Sequence, residues 1–223
     1  MKNLILITSV INITKNPLSY TEIRSVYSTE ERYEQTKLTL ESIKKKIPES
    51  KILLIECSNL DKNMSEYLKL ETDYYINLYD NYEIREKINS ISKSLGEGTL
   101  TINALKYIID NNIEFENLYK ISGRYWLSDN FNYDIYNNNN IIIKYNEINV
   151  VENINTSLYK IPKNIIYDFY QYLNNNIDKM HNCIGYEYIF GNFINNIDYK
   201  KIYINILGVC GYISVGNNLF INI

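Results

Sequence analysis

The chain has 223 residues and a formal net charge of −3, with 45% hydrophobic and 22% charged residues. That length suits one large domain or two small ones, and the proportions exclude disorder as the overall state. With 8 Gly and 3 Pro, collagen-like and low-complexity classes fail as well.

The acidic balance speaks against a protein built to coat nucleic acid. Three Cys, an odd count, argue against a disulfide scaffold and fit a reducing compartment. A single His leaves little room for His-based metal sites or a His-centred triad. Ile, Asn, Lys and Tyr (23 Tyr) are abundant. AT-rich codons favour these four residues, so tyrosine frequency alone marks no stacking platform. No stretch reaches the ~18–20 apolar residues of a membrane span. Leu4 to Ile11 is too short for a signal-peptide core and no small-residue cleavage site follows it. The expectation is a cytoplasmic protein with no membrane span and no nucleic-acid partner.

Asn3 to Val10 is a continuous apolar run, the mark of a strand covered on both faces. A polar loop follows, from Asn12 to Tyr27. Ser28-Thr29-Glu30-Glu31 is a capping box: Ser28 can accept from the third helical N–H and Glu31 can reach back. Tyr33, Thr36, Leu40, Ile43 and Ile47 then recur at spacings of three and four, one helical face. Lys44, Lys45 and Lys46 complement the dipole at the helix end, and Pro48 stops it. Lys51 to Cys57 is a second buried strand. Asp61 to Leu70 reads as a short helix, Asp73 to Leu78 as a third strand. Gly96-Glu97-Gly98 reads as a break, followed by a helix from Thr99 to Asn111. Phe115 to Ile121 is a fourth strand. Strands alternating with helices imply βαβ units and a mainly parallel sheet.

After Gly123 the texture changes. Asn137 to Asn140 reads as a hairpin or loop tip. Short strands are expected at Ile141–Lys144, Leu158–Ile161, Lys201–Ile206 and Gly211–Val215. Helices are expected at Asn164–Leu173 and Ile184–Ile194. Without a repeat or linker-like segment, one domain over 1–223 is the simplest organisation, with a nucleotide-binding half (1–125) and a more irregular half (126–223).

In an open parallel sheet, ligands bind beyond the C-terminal strand ends. Those ends are Thr8-Ser9, Glu56-Cys57-Ser58 and Ser122-Gly123-Arg124. The chain has four Arg: Arg24, Arg32, Arg85 and Arg124. In a Lys-biased chain, a retained Arg suggests a planar, bidentate contact with phosphate or carboxylate. Arg32, inside an acidic helix turn, fits a structural salt bridge as well. Gly123 permits close backbone approach or a positive φ. Trp126 fits core packing. Cys57, Cys183 and Cys210 lack CxxC spacing and read as small core residues.

The order is strand, "TS" end, capped helix and a strand ending in Glu-Cys-Ser. "LGEG", a helix "INALKYI" and "YKISGRYWLSDNF" (Tyr119 to Phe131) follow. This resembles GT-A type glycosyltransferases, in particular the small ones encoded by large DNA viruses and bacterial surface-polysaccharide loci. The resemblance implies an α/β fold, a three-layer α/β/α with a mainly parallel central sheet and a C-terminal acceptor half. It implies transfer of a sugar from a nucleotide-sugar donor to a glycan or glycoprotein acceptor, in host cytoplasm if the source is viral. The donor side would comprise Thr8, Ser9, Arg24, Arg32, Glu56, Ser58, Gly96, Ser122, Gly123 and Arg124. The acceptor side would comprise Tyr125, His181 and Tyr188, with Glu187 as general base. Glu187 also fits a helix-start charge and His181 a structural role.

One departure matters. Where the family carries a metal-binding Asp-x-Asp, this chain reads Ser122-Gly123-Arg124. A guanidinium can neutralise a departing diphosphate with fixed charge and bidentate geometry, so Arg124 would replace the metal. No cofactor is then required. The alternative is a shifted Mg²⁺ or Mn²⁺ site on Asp129. Two other functions stay open, a non-catalytic nucleotide- or glycan-binding module and a nucleotidyltransferase. Against the latter, Asn12 to Tyr27 lacks the Gly-rich loop it would need.

Overall fold

The structure, a computed structural model, describes residues 2–147, 150–213 and 219–223. In chain order the first half comprises β1 (Asn3–Ser9), α1 (Thr29–Lys46), β2 (Ser50–Glu56), α2 (Lys62–Glu71), β3 (Tyr74–Asn77), α3 (Tyr82–Ile88), α4 (Lys93–Asp110) and β4 (Asn117–Ser122). The second half comprises β5 (Tyr125–Leu127), α5 (Tyr133–Tyr136), β6 (Ile141–Ile143), β7 (Leu158–Pro162), α6 (Ile166–Asn175), α7 (Ile177–His181), α8 (Tyr186–Asn196), β8 (Lys201–Tyr203), β9 (Val209–Tyr212) and β10 (Phe220–Asn222).

The main sheet has the order β3-β2-β1-β4-β7-β6-β8, and a small sheet the order β10-β9-β5. β1 pairs in parallel with β2 and β4, and β2 with β3, as the apolar runs require. β7 is antiparallel to β4 and β6, so the sheet is mainly but not wholly parallel. Every residue of β1 is buried. Leu4 and Leu6 join α4, α6 and α8 in one apolar layer. Ile5 and Ile7 join α1 and Leu68 of α2 in the other. This is the three-layer α/β/α arrangement of the GT-A type.

The capping box of α1 is present: Ser28 Oγ accepts from Glu31 N, and Glu31 accepts from Ser28 N. The buried face of α1 is unusually polar, because Thr36, Thr39 and Ser42 run along β4 and β5. Thr36 Oγ1 donates to Gly123 O at 2.8 Å, Thr39 Oγ1 to Tyr125 O at 2.7 Å, and Ser42 Oγ accepts from Leu127 N at 3.0 Å. Three hydroxyls at helical spacing thus hold the chain that carries Arg124.

Several elements differ from the sequence reading. α4 begins six residues before Thr99, so Gly96-Glu97-Gly98 lies inside the helix instead of breaking it. Ser92 caps it, accepting from Leu95 N. The glycines serve packing: a Cβ on Gly96 would lie 3.2 Å from Ile88 O, and one on Gly98 would overlap Met180. Cys183 is exposed instead of buried, on a backbone with φ of 63°. α3, β5 and β10 had no counterpart in the apolar pattern; each is short. Asn137 to Asn140 connects α5 to β6. Ser214 and Val215, read as the end of the last strand, lie outside the described residues. Trp126 is half-buried, packed on Tyr212 and Phe220.

Gly191 gives a direct test of how α8 seats. A Cβ there would stand 1.9 Å from the carbonyl oxygen of Glu152. Gly191→Ala should therefore cost about 1–3 kcal/mol, the usual penalty of overpacking. Thermal unfolding should show a drop of roughly 2–4 °C per kcal/mol at this chain length.

Candidate active site

Thr8 of β1 pairs in register with Ser122 of β4. The two strands therefore end together, and Gly123 N donates to Thr8 O at 2.9 Å. A Cβ on Gly123 would come within 3.1 Å of the Ser9 Cβ. Glycine is what lets the chain turn against the end of β1, and it sends Arg124 over the same edge. A cleft of about 790 Å³, open mouth included, lies there. Thr8, Ser9, Ser122, Gly96, Arg24, Arg32 and Arg124 all line it. These residues, grouped at the strand ends by the sequence reading, thus share one cleft.

The three arginines are held by oxygen dipoles instead of carboxylates. Arg24 Nη2 donates to Ile88 O at 2.6 Å and Nη1 to Ser90 O at 2.8 Å. It thereby ties the Asn12–Tyr27 loop to the α3–α4 junction. Arg32 gives Nε and Nη2 to Val10 O at 2.9 and 2.5 Å. Arg124 donates to Tyr212 O at 3.4 Å and sits over the Tyr125 ring at 5.7 Å. None of the three forms an ion pair among the described residues. The salt bridge open to Arg32 in the sequence is therefore not made. Burial, and then the charge of Arg124, push Arg32 down to about 9. It remains charged at neutral pH, as guanidinium groups do. Lys93 adds a further cation to the lining.

Glu56 and Ser58 do not line the cleft; both are fully buried beneath it. Glu56 Oε1 accepts from Ile11 N at 3.1 Å, Cys57 N at 2.9 Å and Ser58 Oγ at 2.5 Å. Ser58 Oγ also accepts from Asn12 N at 2.9 Å. The pair anchors the start of the Asn12–Tyr27 loop, which is why a carboxylate and a hydroxyl close this strand. They support the donor edge from below.

Asp129 is fully exposed and pairs with Lys46 at 3.1 Å, at the C-terminal end of α1. Strand β5 carries the chain away from the cleft, so Asp129 is not brought to that edge. The turn Ser122-Gly123-Arg124 itself offers hydroxyl and guanidinium groups and no carboxylate, and the carboxylate in the cleft lining, Glu97, is ion-paired with Lys120. His181 ends α7 and is exposed, as is Tyr188 on α8; neither lines the cleft. The Tyr125 ring lies beneath the Arg124 guanidinium. Glu187 lines an adjoining groove that shares Lys93 and Glu97 with the main cleft.

The local pattern gives Glu97 no role, because Gly96-Glu97-Gly98 reads as a break. As a helical residue it faces the cleft, ion-paired with the wholly buried Lys120 of β4. Burial works against its charge, but Lys120, Lys93 and Arg124 outweigh burial and hold the carboxyl below its ordinary range. The spacing of Lys93 and Glu97, four apart, was the available signal.

Glu56 gives a test with a defined sign. Burial raises its pKa above the ordinary 4.5. Its contribution to stability is therefore fully present below the unfolded value and declines as pH rises through the folded one. Denaturant unfolding should show the stability of wild type relative to Glu56→Gln falling as pH rises from about 4.5. Glu56→Ala, which strands three buried donors, should lose about 2–5 kcal/mol at any pH.

No family model matches the sequence, and no curated protein shows a significant match. Among solved structures, the fold is similar to the apo form of the glycosyltransferase GlyE of Streptococcus pneumoniae TIGR4, with a TM-score of 0.53 and 11% identity. The match covers 91% of this chain and 45% of GlyE, so this chain spans less than half the length of that relative. At this identity the likeness establishes a glycosyltransferase-like fold.

Proposed function

We propose that the protein is a glycosyltransferase that moves a sugar from a nucleotide-sugar donor to a glycan or glycoprotein acceptor, without a metal ion. The observation that carries this reading is the meeting of Arg24, Arg32 and Arg124, none of them ion-paired among the described residues, at the end of β1. The hydrogen bonds of these three guanidiniums go to neutral oxygens among the described residues, so no ion pair cancels their charge directly, and Lys93 adds a further cation. Such a site attracts a polyanion, and a diphosphate is the polyanion this fold edge suits.

In the proposed reaction an acceptor hydroxyl oxygen bonds to the anomeric carbon of the donor sugar. The bond from that carbon to the phosphate oxygen breaks, and the nucleoside diphosphate leaves with the electron pair. The hydroxyl proton passes to a carboxylate, a role open to Glu187 in the adjoining groove. Arg124, at the open turn after β4, would stabilise the charge that develops on the leaving phosphate. The three free cysteines suit a reducing compartment, hence a cytoplasmic location. The relationship to small viral or bacterial polysaccharide enzymes belongs to the same proposal and rests on the Tyr119–Phe131 segment.

Donor turnover measured with and without EDTA tests the reading. Chelation should leave most activity intact. Arg124→Ala should lose about 10²–10³ in rate, the usual loss for one stabiliser of transition-state charge. Arg124→Lys should recover part, because a point charge replaces a fork. Asp129→Asn should cost little. Abolished turnover in Asp129→Asn, with strong stimulation of wild type by Mn²⁺, would contradict the metal-free mechanism.

A further inference from the structure

The region beside the arginine cluster carries a second set of polar groups. Glu97 is 19% exposed and borders both the main cleft and the groove of Glu187. One of its oxygens, Oε1, takes the ammonium of Lys120. The other, Oε2, makes no hydrogen bond among the described residues. Ser94, three residues earlier and so on the same helical side, lines the same groove. Its Oγ is buried and has no hydrogen-bond partner among the described residues.

Lys120 is wholly buried, and its remaining partner is Thr156 O at 3.1 Å. Burying an ammonium is expensive, and a pair serving stability alone is often replaceable by apolar side chains. This one fixes a carboxylate in a single orientation at the junction of two clefts, with an acceptor oxygen left over. Fixing a side chain by a buried partner is how a binding group is preorganised.

Resting on the nucleotide-sugar reading, we propose that Glu97 and Ser94 recognise hydroxyl groups of the transferred sugar. A diphosphate held at the arginines leaves its sugar beside them, and α4 forms the next wall. The Glu97 carboxylate can accept from sugar hydroxyls and the Ser94 hydroxyl can accept or donate, whereas a nucleoside diphosphate without sugar offers this wall nothing. Glu97 would therefore set which sugar is accepted, while the arginines set that a diphosphate is.

Calorimetric titration in EDTA separates the two contributions. The probes are UDP and GDP beside UDP-glucose, UDP-galactose and GDP-mannose. Glu97→Asp keeps the charge for Lys120 but withdraws the carboxylate by one methylene. It should weaken the sugar conjugate that wild type binds by about 10–100-fold, the range for a lost charged hydrogen bond. Binding of the matching diphosphate should stay within about twofold. Ser94→Ala, which removes one buried hydroxyl without touching the ion pair, should weaken the same conjugate by about 2–10-fold. Equal weakening of conjugate and diphosphate, or no weakening of either, would overturn the assignment. A wild type that binds neither diphosphate would contradict the nucleotide-sugar reading itself.

Discussion

Every residue of strand β1 is buried, and its last two, Thr8 and Ser9, reach the cleft. A strand buried on both faces and both edges needs neighbours on each side and a helical layer above and below. β2 and β4 supply the edges, in register with it, and α1 and α4 belong to the two layers. Parallel neighbours need crossovers, so all three strands run the same way and finish at one edge. Thr8, Glu56 and Ser122 reach that edge because the register leaves them nowhere else to go. The cleft is thus a consequence of burying seven residues.

What fills that edge is decided by how the loops are tied. Glu56 fixes the start of the loop after β1, Arg32 holds Val10, and Arg24 reaches across to the α3–α4 junction. Each contact sets a side chain on backbone N–H or C=O groups. Structural and electrostatic roles therefore coincide: the arginines order the loop through carbonyl oxygens and keep their charge for the cleft. A carboxylate partner would have given the same order and cancelled the field. The nearby acids are engaged elsewhere: Glu97 is ion-paired with Lys120, and Glu56 Oε1 accepts from Ile11 N, Cys57 N and Ser58 Oγ.

The strands, α1 with its capping box and the convergence of the strand ends were legible because each rests on local pattern: apolar runs, a four-residue cap, strand ends before Gly or Ser. The extent of α4 was not. Gly96 and Gly98 weaken a helix by propensity, yet here close approach to Ile88 and Met180 rewards their lack of a Cβ. Those partners come from distant sequence and leave no local trace. Losing Glu97 from view followed from that one error. Asp129 lies away from the cleft for a similar reason: β5, three residues long and paired with β9, turns the chain away from it. Glu56 and Ser58 were correctly put at a strand end, but the end alone does not say whether a side chain points up into the cleft or back beneath the loop.

The central claim is that fixed guanidinium charge holds a diphosphate at the end of β1. The most direct measurement compares the binding of a nucleoside diphosphate with that of the bare nucleoside, in EDTA, at low and high salt. The diphosphate should bind at least about 100-fold more tightly, with its advantage shrinking as salt screens the cleft. Equal affinity for the two, or diphosphate binding that appears only when Mn²⁺ is supplied, would contradict it.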